Sequence, residues 1–228
     1  MRSIILDTET TGMDPFAGDR IVEIGCIELH NHVPTGRSYQ QYINPERAMS
    51  AAAQAVHGLS DEFLKKHPTF GEIVGAFLEF IGDAPLIIHN ADFDMKFVNH
   101  HLAEFGFAPI PSPRVIDSLK VARQKFPGAP ASLDALCKRF NIDNSNRTLH
   151  GALLDAELLA EVYLELIGGR QTGLDLLQPN MGSGAQAAGL RTPRPARPHP
   201  PLADEESAAH RKMVVGLKNP LWPVEGDI

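Results

Sequence analysis

Ser3-Ile4-Ile5-Leu6-Asp7-Thr8-Glu9-Thr10-Thr11-Gly12 stands near the start of the sequence and decides how the rest is read. A run of apolar, largely β-branched residues ends in two acids one residue apart, and a strand turns residues i and i+2 to the same face. Asp7 and Glu9 are therefore expected side by side. Two carboxylates held together at low dielectric repel strongly unless a proton or a cation lies between them. Oxygen-only ligands of this kind suit Mg²⁺ or Mn²⁺. Taken alone, the pair is equally compatible with solvated acids closing an edge strand.

The 228 residues, 43% of them hydrophobic, can bury a proper core in one domain of ordinary size and carry an appendage besides. Cys26 and Cys137 stand far apart with no CxxC spacing, which points away from a zinc site or a disulfide framework and toward a reducing, cytoplasmic compartment. No signal-peptide pattern and no run of membrane-spanning length is found, so a soluble protein with no membrane partner is expected. The formal net charge of -7 speaks against tight nonspecific duplex binding. It does not exclude an enzyme acting on nucleic acid, because divalent cations in an acidic pocket supply the positive charge that the side chains lack.

Outward from the opening strand, Arg20–Leu29 reads as a second strand, Val33–Gly36 as a turn and Ser38–Ile43 as a third strand, together an antiparallel meander. Helices are expected at Met49–Val56, closed by Gly58, after Ser60, and from Thr69 to Ile81. Pro85–His89 is a buried strand opening onto Asn90-Ala91-Asp92-Phe93-Asp94 and a helix with Phe97, Val98, His101, Leu102 and Phe105 at helical spacing. Val115–Ser118 is a short fifth strand, Ser132 starts a short helix, and Thr148 is placed to cap a long final helix reaching Leu166-Ile167. The fold class expected is α/β, a mixed five-stranded sheet flanked by helices. After Gly169 the composition changes: 178–203 is a Pro- and Arg-rich flexible linker, and 204–228 regains apolar residues.

Asp94 begins a helix, where an acid can also be an ordinary cap or first-turn residue, while Asp92 should face solvent. Asp155 is embedded among apolar residues, and burying it unpaired would be expensive, so it needs a partner. His150 lies at the same helix end and can reach toward whatever Asp155 binds. His57 precedes Gly58 and could simply belong to the helix cap. His30, His32, His67, His100 and His101 show no ligand spacing, and His89 with Asn90 should shape the loop that presents Asp94. The two cysteines are expected as small core residues.

Asp7, Glu9, Asp94, Asp155 and His150 together resemble the set of the DEDD exonucleases, histidine subclass. LDTETTGM, RIVEIG, VHG, DEFL, HNADFD, DSLKVAR, FPG, SLDALC and DNSNRTLHGALLDAELLAEVYLE, in that order, resemble the proofreading (epsilon) subunits of bacterial DNA polymerase III across residues 1–169. The resemblance implies a ribonuclease H-like fold and 3′-5′ hydrolysis of the terminal phosphodiester with two divalent metal ions, Mg²⁺ or Mn²⁺, releasing nucleoside 5′-monophosphates. In that scheme Asp7, Glu9, Asp94 and Asp155 are metal ligands, His150 is the general base, and Asp7, Glu9, His57 and Asp155 contact the single-stranded 3′ end. Histidine suits a base at neutral pH. One departure is Ala52, where the family's best-studied members carry a glutamate five residues before the histidine at His57, so that extra substrate contact is expected to be absent or supplied by a neighbour. Residues 170–177 resemble a peptide for the beta sliding clamp, with Gln171, Leu174, Leu176 and Leu177 as contacts. The 204–228 tail would bind the polymerase alpha subunit through Met213, Val214, Leu217, Leu221 and Trp222, which are its concentrated anchors. A further small stabilising subunit is left open. The rival expectations are a free exoribonuclease of the same superfamily and a catalytically silent scaffold between clamp and polymerase.

Overall fold

The computed structural model describes residues 1–147, 149–169 and 203–216. Two units divide the chain, Met1–Leu176 and Leu177–Ile228. The first holds a five-stranded sheet. Its strands are β1 (Arg2–Thr10), β2 (Ile21–His30), β3 (Val33–Tyr42), β4 (Leu86–Ile88) and β5 (Val115–Asp117), in the order β3-β2-β1-β4-β5. β1, β2 and β3 pair antiparallel, and β4 and β5 add to β1 in parallel, as the expected mixed sheet requires. β1 is thus central, and side-chain alternation along it feeds two separate cores. Ile4 and Leu6 join the first with Ile24, Phe77 and Phe97, and Ile5 joins the second with Ile27, Leu159 and Val162.

Helices cover both faces. α1 (Ala51–His57), α2 (Asp61–Leu64), α3 (Phe70–Ile81) and α4 (Ala91–Glu104) precede β5, and α5 (Ser118–Lys125), α6 (Leu133–Phe140) and α7 (Ala152–Leu166) follow it. Residues of α3 and α4 fill the first core, and those of α5, α6 and α7 the second. Local chemistry accounts for the starts: Ser50, Ser60 and Ser132 each accept a backbone N–H of the first helical turn, and the Glu72 carboxylate accepts from the N–H and hydroxyl of Thr69. The second unit contributes one described helix, α8 (Asp204–Val215). Among the described residues, no helix is long and apolar enough to cross a membrane.

Three local expectations need correction. The β2–β3 turn is Asn31-His32, both with positive φ (50° and 68°), while Val33–Gly36 belongs to β3. A two-residue turn with both residues left-handed matches the twist of the paired strands, and the β2–β3 register then shifts between Ile27 and Leu29. Helix α5 was not foreseen; Asp117 caps it by accepting the N–H groups of Leu119 and Lys120. The final helix begins after Gly151 rather than at Thr148, which lies outside the described residues. There the buried Glu23 carboxylate of β2 accepts the Ala152 N–H at 3.2 Å. This close approach depends on Gly25, where a Cβ would lie 2.2 Å from the Ala152 carbonyl carbon. Gly25 is also the cross-strand partner of Asp7, so the helix end is seated beside the acids of β1.

Candidate active site

β1, α4 and α7 bring the four acids into one cleft of about 490 Å³. Asp7 and Glu9 share the strand face of Ile5, toward α7. Thr8 between them turns the other way, and its hydroxyl donates to Asp94 Oδ1 at 2.7 Å on the first turn of α4. Asn90, left-handed at φ 64°, makes the turn from β4 into that helix. Asp155 sits in the first turn of α7, and ligand atoms of Glu9, His150 and Asp155 lie within 4.8 Å of one another. Glu9, Asp94 and Asp155 are buried, and His150 is exposed at the rim.

The electrostatics match this crowding. The Asp7 carboxyl is held well above the usual range by burial and then by Asp94, Glu9 and Asp155. Glu9 is pushed up to about 8 by burial, then by Asp155, Glu23 and Asp94. Burial raises Asp94 to about 7 against the hydrogen bond from Thr8. Carboxyls that would be this reluctant to ionise alone are stabilised as anions by a nearby cation. The donors are oxygens with one imidazole available, a set that fits a hard divalent ion.

The partner that Asp155 needs is Arg147, which sequence reasoning missed. Its Nε donates to Oδ1 at 2.6 Å and its Nη2 to Oδ2 at 2.7 Å. The same guanidinium reaches Asp134 through Nη1 at 2.8 Å, and its Nη2 also donates to His150 Nδ1 at 2.8 Å. Glu23, which anchors the N-terminus of α7, was missed as well. Both belong to quoted motifs, but a partnership eight or 129 residues away in sequence depends on the path of the chain.

His57, the last residue of α1, is buried and lines the cleft. Its Nδ1 accepts the Leu59 N–H at 3.1 Å, leaving Nε2 to carry the proton, and burial lowers its pKa. Gly58 closes α1 at φ 74°, so His57 also belongs to the helix end. Met13, Ala52, Val56, Phe93 and Leu133 make the cleft walls largely apolar above the acidic floor. His89 Nδ1 lies 2.9 Å from Ser118 Oγ, and His89 and Asn90 line the cleft beside Asp94.

Asp92 is exposed and pairs with Lys120, as expected of a solvent-facing acid. His101 is buried against Phe70, with Nδ1 2.9 Å from the Phe97 carbonyl oxygen, and both cysteines are buried and free. Phe105, expected on α4 at helical spacing, is its 44%-exposed C-cap. On α8, Met213 is exposed and Val214 buried. Gln171, Leu174, Leu176, Leu177, Leu217, Leu221 and Trp222 lie outside the described residues.

Comparison with known proteins shows the family of the chain. The family described as Exonuclease (RNase_T) matches residues 4–163. The chain is 56% identical over 184 residues to a DNA polymerase III subunit epsilon of Rickettsia felis, covering 79% of this chain and 80% of that protein. The protein of the same name from Escherichia coli K12 is 49% identical over 179 residues, 74% of this chain and 72% of the relative. In structure the chain resembles Exonuclease X in complex with 5′ overhanging duplex DNA, at a TM-score of 0.57 and 24% identity over 72% of this chain and 90% of that one. The nuclease domain of 3′hExo, a DEDDh family member bound to rAMP, gives a TM-score of 0.62 at 20% identity, covering 73% and 91%. These two likenesses support the ribonuclease H-like fold.

Proposed function

The chain belongs to the exonuclease family represented by the DNA polymerase III epsilon subunits, and from that premise we propose which residues perform its 3′-5′ proofreading hydrolysis. The observation that carries the assignment is the cluster of four acids in one cleft, three of them buried, with burial and neighbouring carboxylates raising Asp7 and Glu9, beside one exposed imidazole. Asp7, Glu9, Asp94 and Asp155 would hold the divalent metal, two ions of Mg²⁺ or Mn²⁺ in the finer reading. When bound, the metal supplies charge stabilisation for the attacking and leaving oxygens.

His150 stands at the rim, where an imidazole nitrogen can take the proton of the water that attacks the terminal phosphorus. The bond from phosphorus to the 3′ oxygen of the preceding nucleotide then breaks, that oxygen takes a proton from solvent water as it leaves, and His150 returns its own proton to solvent. A nucleoside 5′-monophosphate is the product. His57 presents its Nε2–H to the terminal nucleotide, and the apolar walls of Met13, Val56, Phe93 and Leu133 accept any base. Tolerance of this kind suits an enzyme that removes whichever nucleotide was misplaced. With Ala52 lining the cleft in place of an acid, the 3′ end is held here without that extra carboxylate.

The relatives' name supports membership of a bacterial replisome and action on DNA at the polymerase. The division into nuclease (1–169), clamp peptide (170–177), linker (178–203) and polymerase-binding tail (204–228) rests on sequence, as do contacts with the beta clamp and alpha subunit. Identities of 49% and above to epsilon subunits favour this reading over a free exoribonuclease; the 3′-exonuclease that recognises a histone mRNA stem-loop is 18% identical. The decisive experiment is digestion of a 3′-mismatched DNA primer and of an RNA of the same sequence, with Mg²⁺, Mn²⁺ or EDTA, alone and with polymerase. Preferential release of deoxynucleoside 5′-monophosphates from DNA, abolished by EDTA, is expected. Full activity in EDTA or preference for RNA would contradict it.

A further inference from the structure

Arg147 has no part in the hydrolysis just described, yet its guanidinium lines the cleft and holds both Asp155 and His150. It is 7% exposed and spends two hydrogen bonds on the two oxygens of Asp155. A guanidinium has no lone pair to give and cannot ligate a metal, so it and a cation compete for those oxygens. Its Nη2 also donates to His150 Nδ1, covering a lone pair of the general base. The third arm, Nη1, reaches outward to Asp134, which is 58% exposed and braced by Asn144 Nδ2 at 3.0 Å. One charged head is therefore shared between a carboxylate inside the acid cluster and one outside it.

We propose that Arg147 is the resident counter-cation of the metal-free site, and that metal entry transfers it from Asp155 and His150 to Asp134. This rests on the divalent-metal reading of the acids. Without metal, the guanidinium opposes the repulsion felt by Asp7 and Glu9 and keeps the end of α7 seated. With metal, its departure frees Asp155 and uncovers the imidazole, so ligand and base become available together. Asp134 gives the released cation somewhere to remain.

The test uses the full-length protein, with calorimetric Mn²⁺ titration and thermal unfolding in EDTA and in saturating Mn²⁺. Arg147→Gln should melt below wild type in EDTA, recover most of that loss in Mn²⁺, and bind Mn²⁺ about tenfold or more tightly, since one hydrogen bond to a charged group is worth at least that much. Asp134→Asn, at an exposed position, removes the place to which Arg147 withdraws and should bind Mn²⁺ several-fold more weakly. Opposite signs from the two variants are the signature. An equal loss of melting temperature with and without Mn²⁺, or unchanged or weaker Mn²⁺ binding by Arg147→Gln, overturns the proposal. If that variant does not fold, equal or tighter Mn²⁺ binding by Asp134→Asn overturns it. Absence of Mn²⁺ binding by wild type would remove the metal reading itself, and the proposal with it.

Discussion

Replacing Glu9 by Gln keeps the shape of the side chain and takes one charge out of the cluster. In the metal-free protein this carboxyl is pushed from 4.5 up to about 8. A carboxyl whose pKa is raised by folding holds its proton more tightly in the native state, so the fold loses stability as pH rises from 4.5 toward 8. At about 1.4 kcal/mol per unit, that shift is a full penalty of roughly 4–5 kcal/mol above pH 8. The acids share their repulsion, and neighbours take up protons when one is forced to ionise. A single substitution should therefore recover about half, ~2 kcal/mol, or ~4–8 °C in melting temperature for a chain of this size. Wild type and Glu9→Gln should thus differ by a constant amount below pH 4.5 and diverge above it in favour of the variant. Saturating Mn²⁺ should reverse the order, because the variant lacks one of the proposed ligands. Scanning calorimetry in EDTA from pH 4 to 8.5 measures this directly. Parallel stability curves for the two proteins across that range would refute the claim that Glu9 is held against repulsion.

Three further outcomes follow, two from the geometry of the site and one from the sequence of the tail. His150→Ala should lower turnover by about 10²- to 10⁴-fold, the range for a positioned base, with Mn²⁺ affinity nearly unchanged in calorimetry; near-normal turnover would leave it a helix-end residue. Gly25→Ala should cost ~2 kcal/mol or more by denaturant unfolding and lower activity, because its Cβ must displace the Ala152 backbone that carries Asp155 into place; a fully stable, fully active variant would contradict that seating. Truncation after Gly169 should leave digestion of single-stranded DNA intact while polymerase binding is lost, and Trp222→Ala should reproduce part of the loss. Equal polymerase binding by all three proteins in a titration would place the interface on the nuclease domain.

The sheet was legible because β1 announces itself: apolar residues fill both faces of a central strand, and the acids begin where the pattern breaks. Helix starts at Ser60, Thr69 and Ser132 were legible because capping is a local interaction, whereas the first helix, expected from Met49, starts at Ala51 behind the Ser50 cap. What escaped depended on partners distant in sequence or on weak pattern. Helix α5, SLKVARQK, buries only Ser118 and Ala122, so no apolar stripe marks it. Asn31-His32 makes a turn without the glycine that usually signals one, and Gly36 drew attention from it. At the site, the need of Asp155 for a partner was readable from its apolar neighbours, but the identity of Arg147 was not, since the loop before α7 carries it back onto its own helix. Gly151 starts that helix without a capping side chain because Glu23, on a strand laid down much earlier, receives the Ala152 N–H.

The acids sit on three segments well separated along the chain, with Glu9 on β1, Asp94 on α4 and Asp155 on α7. A ribosome working at about 5–20 residues per second delivers Asp155 roughly 7–30 s after Glu9. During that interval β1 can pair with β2, and Thr8 can receive Asp94, but the α7 side of the cleft stays open. Repulsion among the carboxylates is complete only when the last helix docks, by which time the sheet beneath it can bear the load. If Asp155 is a metal ligand as proposed, hydrolytic power arrives only at the end of the domain's synthesis, and a polypeptide released before residue 155 should carry no nuclease into the cell.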